Sequence, residues 1–308
     1  MDEAVARPER RLLYLVHGAA SYYHEAAYSI LSLWRQPGAA DIGIVVVTND
    51  PAPLRALIGE PPQVRYLVFS PEQRREWQGP IDYIHRMKPC AFGWAIDSLA
   101  GEGDPVWAFI DSDTAFTAPP GRWLERVEEG TVVLHAQEGT VRGNRTHSRS
   151  QRRLDDTCRR QTLTIRGESK RIAGDSRMWN SGVIGLRQSQ RSILKETVAL
   201  IDTLFPLCPI HTVEQVALSL VLQDRGQAVA TCEADVLHYH IFKEFRDDLA
   251  RFFEHYRGAT CEELLTAWPD IDPSLRIVPK REFNALPKWR RNLRKYLGGA
   301  WKPLPLPW

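Results

Sequence analysis

Residues 106–116, VWAFIDSDTAF, constrain this chain more than any other stretch. The apolar run 106–110 reads as a strand buried on both faces, and it ends in Asp111-Ser112-Asp113. Alternate residues of an extended segment point to the same side, so the two carboxylates converge where the strand leaves the core. Close carboxylates repel each other and favour a cation between them. Hard divalent ions such as Mg2+ or Mn2+ take oxygen ligands and keep positions open for substrate phosphates. A metal–diphosphate site at the end of a central strand is one reading. A polar turn built from Asp and Ser is the other.

The stretches before this one alternate strand and helix. Residues 12–16 (LLYLV), 42–48 (IGIVVVT) and 64–69 (VRYLVF) read as strands. A helix with Ser21 as its N-cap carries Ala27, Ile30, Leu31 and Trp34 to the Pro37-Gly38 stop, and a second covers 88–100 before Gly101. Such alternation predicts an α/β protein with a mostly parallel sheet covered on both faces. Open sheets of this kind bind ligands beyond the carboxyl ends of their strands, where His17, Asn49, Ser70 and Asp111 fall. The chain has neither G-x-G-x-x-G nor a Walker loop, so phosphates need another anchor, which a metal on Asp111 and Asp113 supplies.

The second half is read in the same way. Between 142 and 171, ten Arg and Lys residues face only Asp155, Asp156 and Glu168. This predicts a mobile basic excursion, or alternatively a lid or a surface for an anionic acceptor. Residues 178–186 form a turn and short strand in which Gly182 allows close backbone approach. A helix covers 189–205. Another opens at Thr212, with Thr212 and Gln215 as a capping box and Gly226 as its stop. Glu214 and Gln215 lie in its first turn, where they can reach a pocket; for Gln215, capping alone is an equal explanation. Residues 234–243 read as a strand on which His238 and His240 point the same way, a candidate metal pair or ordinary sheet histidines. A helix over 246–256 packs Leu249, Phe252 and Phe253.

From Pro279 onward, eight Lys and Arg residues face one Glu and are interleaved with Trp289, Tyr296, Leu297, Trp301 and Trp308. That mixture suits an anionic membrane surface, or a tail docked on the protein itself. The five cysteines are scattered with no C-x-x-C pair, and the N-terminal segment has no secretory apolar region. Both features lead us to expect a cytoplasmic protein, free or peripheral to the inner face of the membrane. The net charge of +2 excludes little, and nothing matches a nucleic-acid recognition module.

In combination these residues resemble a glycosyltransferase of the GT-A fold, most similar to the family-8-like retaining transferases of the glycogenin and lipooligosaccharide galactosyltransferase type. The landmarks fall in the family's order: Asp111-Ser112-Asp113; Asn180-Ser181-Gly182-Val183; Glu214-Gln215; and His238 followed by Lys243. The resemblance covers roughly 11–245. It implies a GT-A domain over 1–245 and a C-terminal helical extension with a basic, aromatic tail over 246–308.

It also implies roles. Asp111, Asp113 and His238 would hold Mn2+ or Mg2+. Lys88, Arg86 and Lys243 would neutralise phosphate charge, with Ser112 between the two metal carboxylates. His17, Gly18, Ala19 and Tyr22 would lie against the base of a UDP-sugar. Asn180 would touch sugar or acceptor, and Gln215 the reacting face of the sugar. The acceptor implied is a glycan, or a glycan borne on lipid at a membrane reached by 280–308. The chain departs from the pattern at Val216, where a second acid is absent, and at Ile241 and Glu244-Phe245 around the closing lysine. The resemblance favours retention, while these departures count against it and leave Glu214 or Asp235 open as a base for inversion.

Two other classes fit parts of the chain. One is a non-catalytic, degenerate GT-A domain or a nucleic-acid- or anion-binding protein using 142–171 and the basic tail. The other is a haloacid-dehalogenase-type phosphotransferase, whose Asp-x-Asp also follows a strand; here Ala115 stands where that signature wants Thr or Val.

Overall fold

The computed structural model describes residues 8–101 and 103–308; the segment ahead of Pro8, read above as lacking a secretory region, lies outside the described residues. The chain begins with β1 (Arg10–Val16), α1 (Ala20–Trp34), β2 (Ile42–Thr48), α2 (Ala52–Ile58), β3 (Val64–Val68), α3 (Pro71–Gln78) and α4 (Met87–Ser98). Next come β4 (Val106–Ile110), β5 (Thr114–Phe116), α5 (Gly121–Glu128), β6 (Val132–Thr140), α6 (Arg149–Arg160), β7 (Thr162–Ile165), β8 (Glu168–Arg171) and β9 (Arg177–Arg187). Helices α7 (Ser192–Leu207) and α8 (Val213–Asp224) lead to β10 (Val229–Thr231) and β11 (Val236–His238). Five helices finish the chain: α9 (Phe245–His255), α10 (Cys261–Ala267), α11 (Pro273–Arg276), α12 (Val278–Ala285) and α13 (Lys288–Tyr296).

Seven strands form one sheet in the order β10-β6-β9-β4-β1-β2-β3. All neighbours run parallel except β9, which is antiparallel to both β4 and β6. This mixed, mostly parallel sheet flanked by helices fits the α/β GT-A architecture expected from the sequence. Every residue of β4 is buried, as a strand covered on both faces requires. Its side chains divide by the period of two: Trp107 and Phe109 pack with Phe92, Leu200 and Val216 of α4, α7 and α8. Val106, Ala108 and Ile110 pack with Ile30, Trp123 and Phe252 of α1, α5 and α9.

A second, two-stranded sheet positions the site. Strand β5 continues from the Asp-Ser-Asp turn and pairs antiparallel with β11, setting His238 opposite Thr114. It is fastened to α1 from inside: Ser29 Oγ lies 2.9 Å from Thr114 Oγ1, and the Phe116 N–H donates to Ser32 Oγ at 2.8 Å.

Several expectations are corrected. Helix α1 starts at Ala20, so Ser21 lies inside it, and the cap residue Ala19 gives no side-chain bond. Helix α4 ends at Ser98 with Leu99 as its cap, short of Gly101. Thr212 makes no capping box with Gln215; the Tyr83 phenol instead accepts from the Glu214 N–H at 3.1 Å and donates to the His211 carbonyl. A tertiary partner thus replaces the local one and frees the Gln215 side chain. The predicted strand 234–243 shortens to β11, because the chain turns after His238. Gly226 does stop α8, in a left-handed conformation.

The basic segment 142–171 is folded rather than a solvated excursion. Helix α6 buries Leu154 and Cys158, spaced i and i+4, and the β7–β8 hairpin buries Leu163 and Ile165. Its charge is partly neutralised by ion pairs from Arg145 to Asp155 and Asp156, and from Lys170 to Glu168 and Asp224. Arginine-rich composition hid these few anchors.

The last residues dock on α9 and its surroundings. Buried Arg276 pairs with Asp248 at 2.7 Å and donates to the carbonyls of Leu304 and Pro305. Trp308 stacks on His255, and Trp301 packs against Phe242. Helix α13 contributes no buried residue; Trp289, Leu293 and Tyr296 are exposed. Among the described residues, no helix is long and apolar enough to cross a membrane.

Candidate active site

A cleft of about 750 Å³ opens beyond the carboxyl ends of β1 and β4. Asp111, Ser112 and Asp113 lie on its floor, and β11 brings His238 to them. The ligand-capable atoms of Asp111, Asp113 and His238 all fall within 4.8 Å of one another. His238 Nε2 is 3.1 Å from Asp113 Oδ1 and 3.9 Å from Asp111 Oδ2. His240 lies beside it, ring centroids 4.7 Å apart, but is not part of this cluster.

Asn180 decides how His238 presents itself. The Asn180 amide nitrogen donates to Glu138 Oε1 at 2.8 Å, so its oxygen is the acceptor. That oxygen takes the Gly182 N–H at 2.8 Å and lies 3.0 Å from His238 Nδ1. Nδ1 therefore carries a proton. Nε2 lies within hydrogen-bond reach of Asp113 Oδ1, where a proton can bridge the pair; with a cation in place of that proton, the three side chains would present acceptors to one point. This oxygen–imidazole set suits Mn2+ or Mg2+, and the Asn180 contact is the kind of outer support that metal-binding imidazoles use. Gly182 is required here by space, since a Cβ at that position would run into the His238 ring and Asn180 Oδ1. The close approach read from the sequence at Gly182 is thus toward the His238 imidazole.

Two lysines neutralise the acids. Lys88, buried on α4, donates to Asp111 at 2.8 Å and to the Ser181 carbonyl at 3.1 Å. Burial alone would lower its pKa, but the Asp111 and Glu214 carboxylates raise it above the ordinary lysine value. Lys243, on the exposed turn after β11, reaches Asp113 Oδ2 at 2.8 Å. Burial would raise the Asp113 pKa; the His238 hydrogen bond and charge, with Lys243, hold it far below the usual carboxylate range.

Glu214 and Gln215 enter the cleft from the first turn of α8. Glu214 accepts from Ser181 Oγ at 2.7 Å, and burial pushes its carboxyl pKa up against the pull of Lys88. Gln215 Nε2 donates to Glu138 Oε2 at 3.0 Å. Three cleft-lining residues carry buried acceptor atoms with no partner among the described residues: Glu214 Oε1, Thr212 Oγ1 and Gln151 Oε1. Such atoms are costly unless a ligand supplies hydrogen-bond donors.

The other predicted residues divide. His17 and Ser112 line the cleft, as does Tyr22, whose ring lies 4.9 Å under the Arg246 guanidinium. Gly18, left-handed at φ 91°, and Ala19 form the exposed turn into α1 and do not line it. Arg86 is not in the cleft. It pairs with Asp202 at 2.7 Å and donates to the carbonyls of Glu76 and Trp77, so it fastens α3 and α7 to α4. Asp235 does not line the cleft; its carbonyl instead accepts from the N–H groups of Thr117 and Ala118.

Glu138 was missed. It sits near the end of β6, and only the β6–β9 register, with its two irregularities, brings it to Asn180. The run Val132–Leu134 after Gly130 announces a strand, but nothing local marks Glu138. Glu25 and Arg246 were also missed; buried Glu25 pairs with half-buried Arg246 at 2.8 Å along the cleft wall.

No protein-family model matches the sequence, and a search of curated proteins returns no match. Among solved structures the chain is similar to mouse xyloside xylosyltransferase 1 in its apo form, with 13% identity over 72% of this chain and 84% of that one, TM-score 0.45. It is similar to the galactosyltransferase LgtC in complex with donor and acceptor sugar analogues, with 11% identity over 68% and 70%, TM-score 0.46. It is also similar to the glycosyltransferase GlyE of Streptococcus pneumoniae TIGR4, with 11% identity over 98% and 66%, TM-score 0.45.

Proposed function

We propose that this protein is a metal-dependent glycosyltransferase that moves a sugar from a nucleotide diphosphate sugar, a UDP-sugar, to a glycan or lipid-linked acceptor. The observation that carries this reading is the convergence of Asp111, Asp113 and His238 beside Lys88 and Lys243 at the end of the central strand. A divalent ion held there supplies Lewis-acid stabilisation to a departing diphosphate. Lys88 orients Asp111 and offsets its charge. Lys243, more than half exposed, is placed to leave Asp113 for a phosphate oxygen. His17, Tyr22 and Ser112 flank the space for the nucleotide.

The cleft lining favours a sugar. Thr212, Glu214, Gln215 and Gln151 line it with hydrogen-bonding side chains, and a sugar ring offers several hydroxyl groups on a rigid frame. Asn180 and Gln215, both held by Glu138, would position that ring, with Gln215 on its reacting face. This arrangement supports retention. Exposed Trp289, Leu293 and Tyr296 among the cations of α13 suit peripheral contact with the anionic inner face of a membrane, where a lipid-linked acceptor would be found. The protein would then be cytoplasmic, with 1–245 as transferase domain and 246–308 as its extension.

Thermal melting with a panel of nucleotides and nucleotide sugars, with and without Mn2+, tests the reading. A ligand that binds only the folded form raises the midpoint. A rise with UDP or a UDP-sugar that disappears with EDTA is expected. No rise with any nucleotide in the presence of metal would overturn it.

A further inference from the structure

Away from the cleft, α6 borders a second concavity of about 430 Å³, within the range of small-ligand sites. Arg149, Arg152, Arg153 and Arg160 line it, a single stripe of the helix at positions i, i+3, i+4 and i+11. Exposed Leu207, at the end of α7, closes one side.

The four arginines differ from the rest of the basic segment. Arg145 and Arg159 are committed to Asp155 and Asp156, and Arg166 and Lys170 to Asp224. Among the described residues, no side-chain hydrogen bond or ion pair engages Arg149, Arg152, Arg153 or Arg160. The one acid on the concavity, Asp156, is already held by Arg145 and Arg159, and its carboxyl pKa is depressed by those hydrogen bonds. Four like charges on one helix stripe repel, and ordinary surfaces intersperse opposite signs. Guanidinium groups in a concave arrangement match the tetrahedral oxygens of phosphate in bidentate pairs.

We propose that this concavity is an anion site for a phosphate-bearing ligand, separate from the metal cluster. The flank of α6 facing away from the stripe places Gln151 on the cleft, so the two sites stand about one helix diameter apart, on the order of 10 Å. The phosphate can belong to a soluble molecule or to a lipid headgroup; the chemistry of recognition is the same.

Calorimetric titration with inorganic pyrophosphate in EDTA, at physiological ionic strength, tests the site without the metal cluster. Saturable binding is expected, weakened about tenfold or more in the R152Q/R153Q double variant, because charge-assisted hydrogen bonds are lost. Circular dichroism melting of that variant, altered only at exposed positions, checks that it folds. An R126Q/R251Q variant, altered at exposed positions of α5 and α9, controls for general basicity and should bind pyrophosphate like wild type. Co-sedimentation with phosphatidylglycerol vesicles separates the sources. Vesicle binding that falls in R152Q/R153Q and is competed by pyrophosphate assigns a lipid headgroup. Pyrophosphate binding with vesicle association indifferent to the substitutions assigns a soluble ligand. Equal behaviour of wild type and R152Q/R153Q in both assays overturns the site.

Discussion

Glu138 and Gln215 lie 77 residues apart in the chain and are joined by a hydrogen bond of 3.0 Å, Gln215 donating. The other oxygen of the same carboxylate holds Asn180, which in turn fixes the protonated nitrogen of His238. One carboxylate therefore orients both a residue at the proposed sugar site and a proposed metal ligand. Glu138→Gln keeps the shape but replaces one acceptor by a donor. It should weaken Mn2+ binding about 10–100-fold, the usual cost of losing outer support, and lower turnover as well. Electron paramagnetic resonance titration of Mn2+ reads the first effect; unchanged affinity would remove Glu138 from the chain of support.

Asp113→Asn removes one of three converging acceptors and leaves Lys243 without its partner. Mn2+-dependent thermal stabilisation by nucleotide should disappear while the fold persists. Chelation of the wild-type protein should likewise abolish turnover without unfolding, because Lys88 and Lys243 already offset the acids. Circular dichroism in EDTA checks this; a collapse of the fold would show that the ion is structural.

Gly182→Ala forces a methyl group into the His238 ring. Overpacking of this kind costs about 1–3 kcal/mol. Denaturant unfolding should show that loss, together with weaker Mn2+ binding. A variant of wild-type stability and affinity would mean that the ring moves aside freely.

Arg86→Gln separates the two readings of that residue. It should leave nucleotide affinity unchanged and cost about 1–3 kcal/mol of stability through orphaned carbonyls and Asp202. A selective loss of donor binding would return Arg86 to the site.

His24 stacks on Phe253 between α1 and α9, and burial lowers its pKa. The unfolded chain therefore binds the proton more readily than the folded one. Stability should fall as pH drops below the unfolded value of about 6.5. His24→Gln should flatten that part of the melting-temperature profile; an unchanged slope would assign it to other groups.

Much of the fold was legible because β4, β2 and β1 announce themselves by continuous apolar runs, which only a covered sheet accommodates. Asp111 and Asp113 were legible because they stand at the end of such a run, Glu214 because it falls in the first turn of a helix, and Asn180 only through the family resemblance. What the sequence could not show depends on register or on distant partners. Tyr83 displaced Thr212 as the cap of α8, Arg86 turned to Asp202, and Glu138 reached Asn180 through a strand pair with two irregularities. Helix α6 was hidden differently: two buried side chains anchor it among twelve residues, and its arginines mask the period.

The three-rung ladder between β5 and β11 has a consequence for synthesis of the protein. His238 meets Asp113 from 125 positions further along the chain. Four of the seven strands of the main sheet, β1 to β4, precede Asp113 in the chain, and β6, β9 and β10 follow it; the imidazole arrives after all of them, with the last short strand. A nascent or truncated chain ending before that strand therefore holds two carboxylates and a lysine but not the imidazole, and the cluster is completed late in translation.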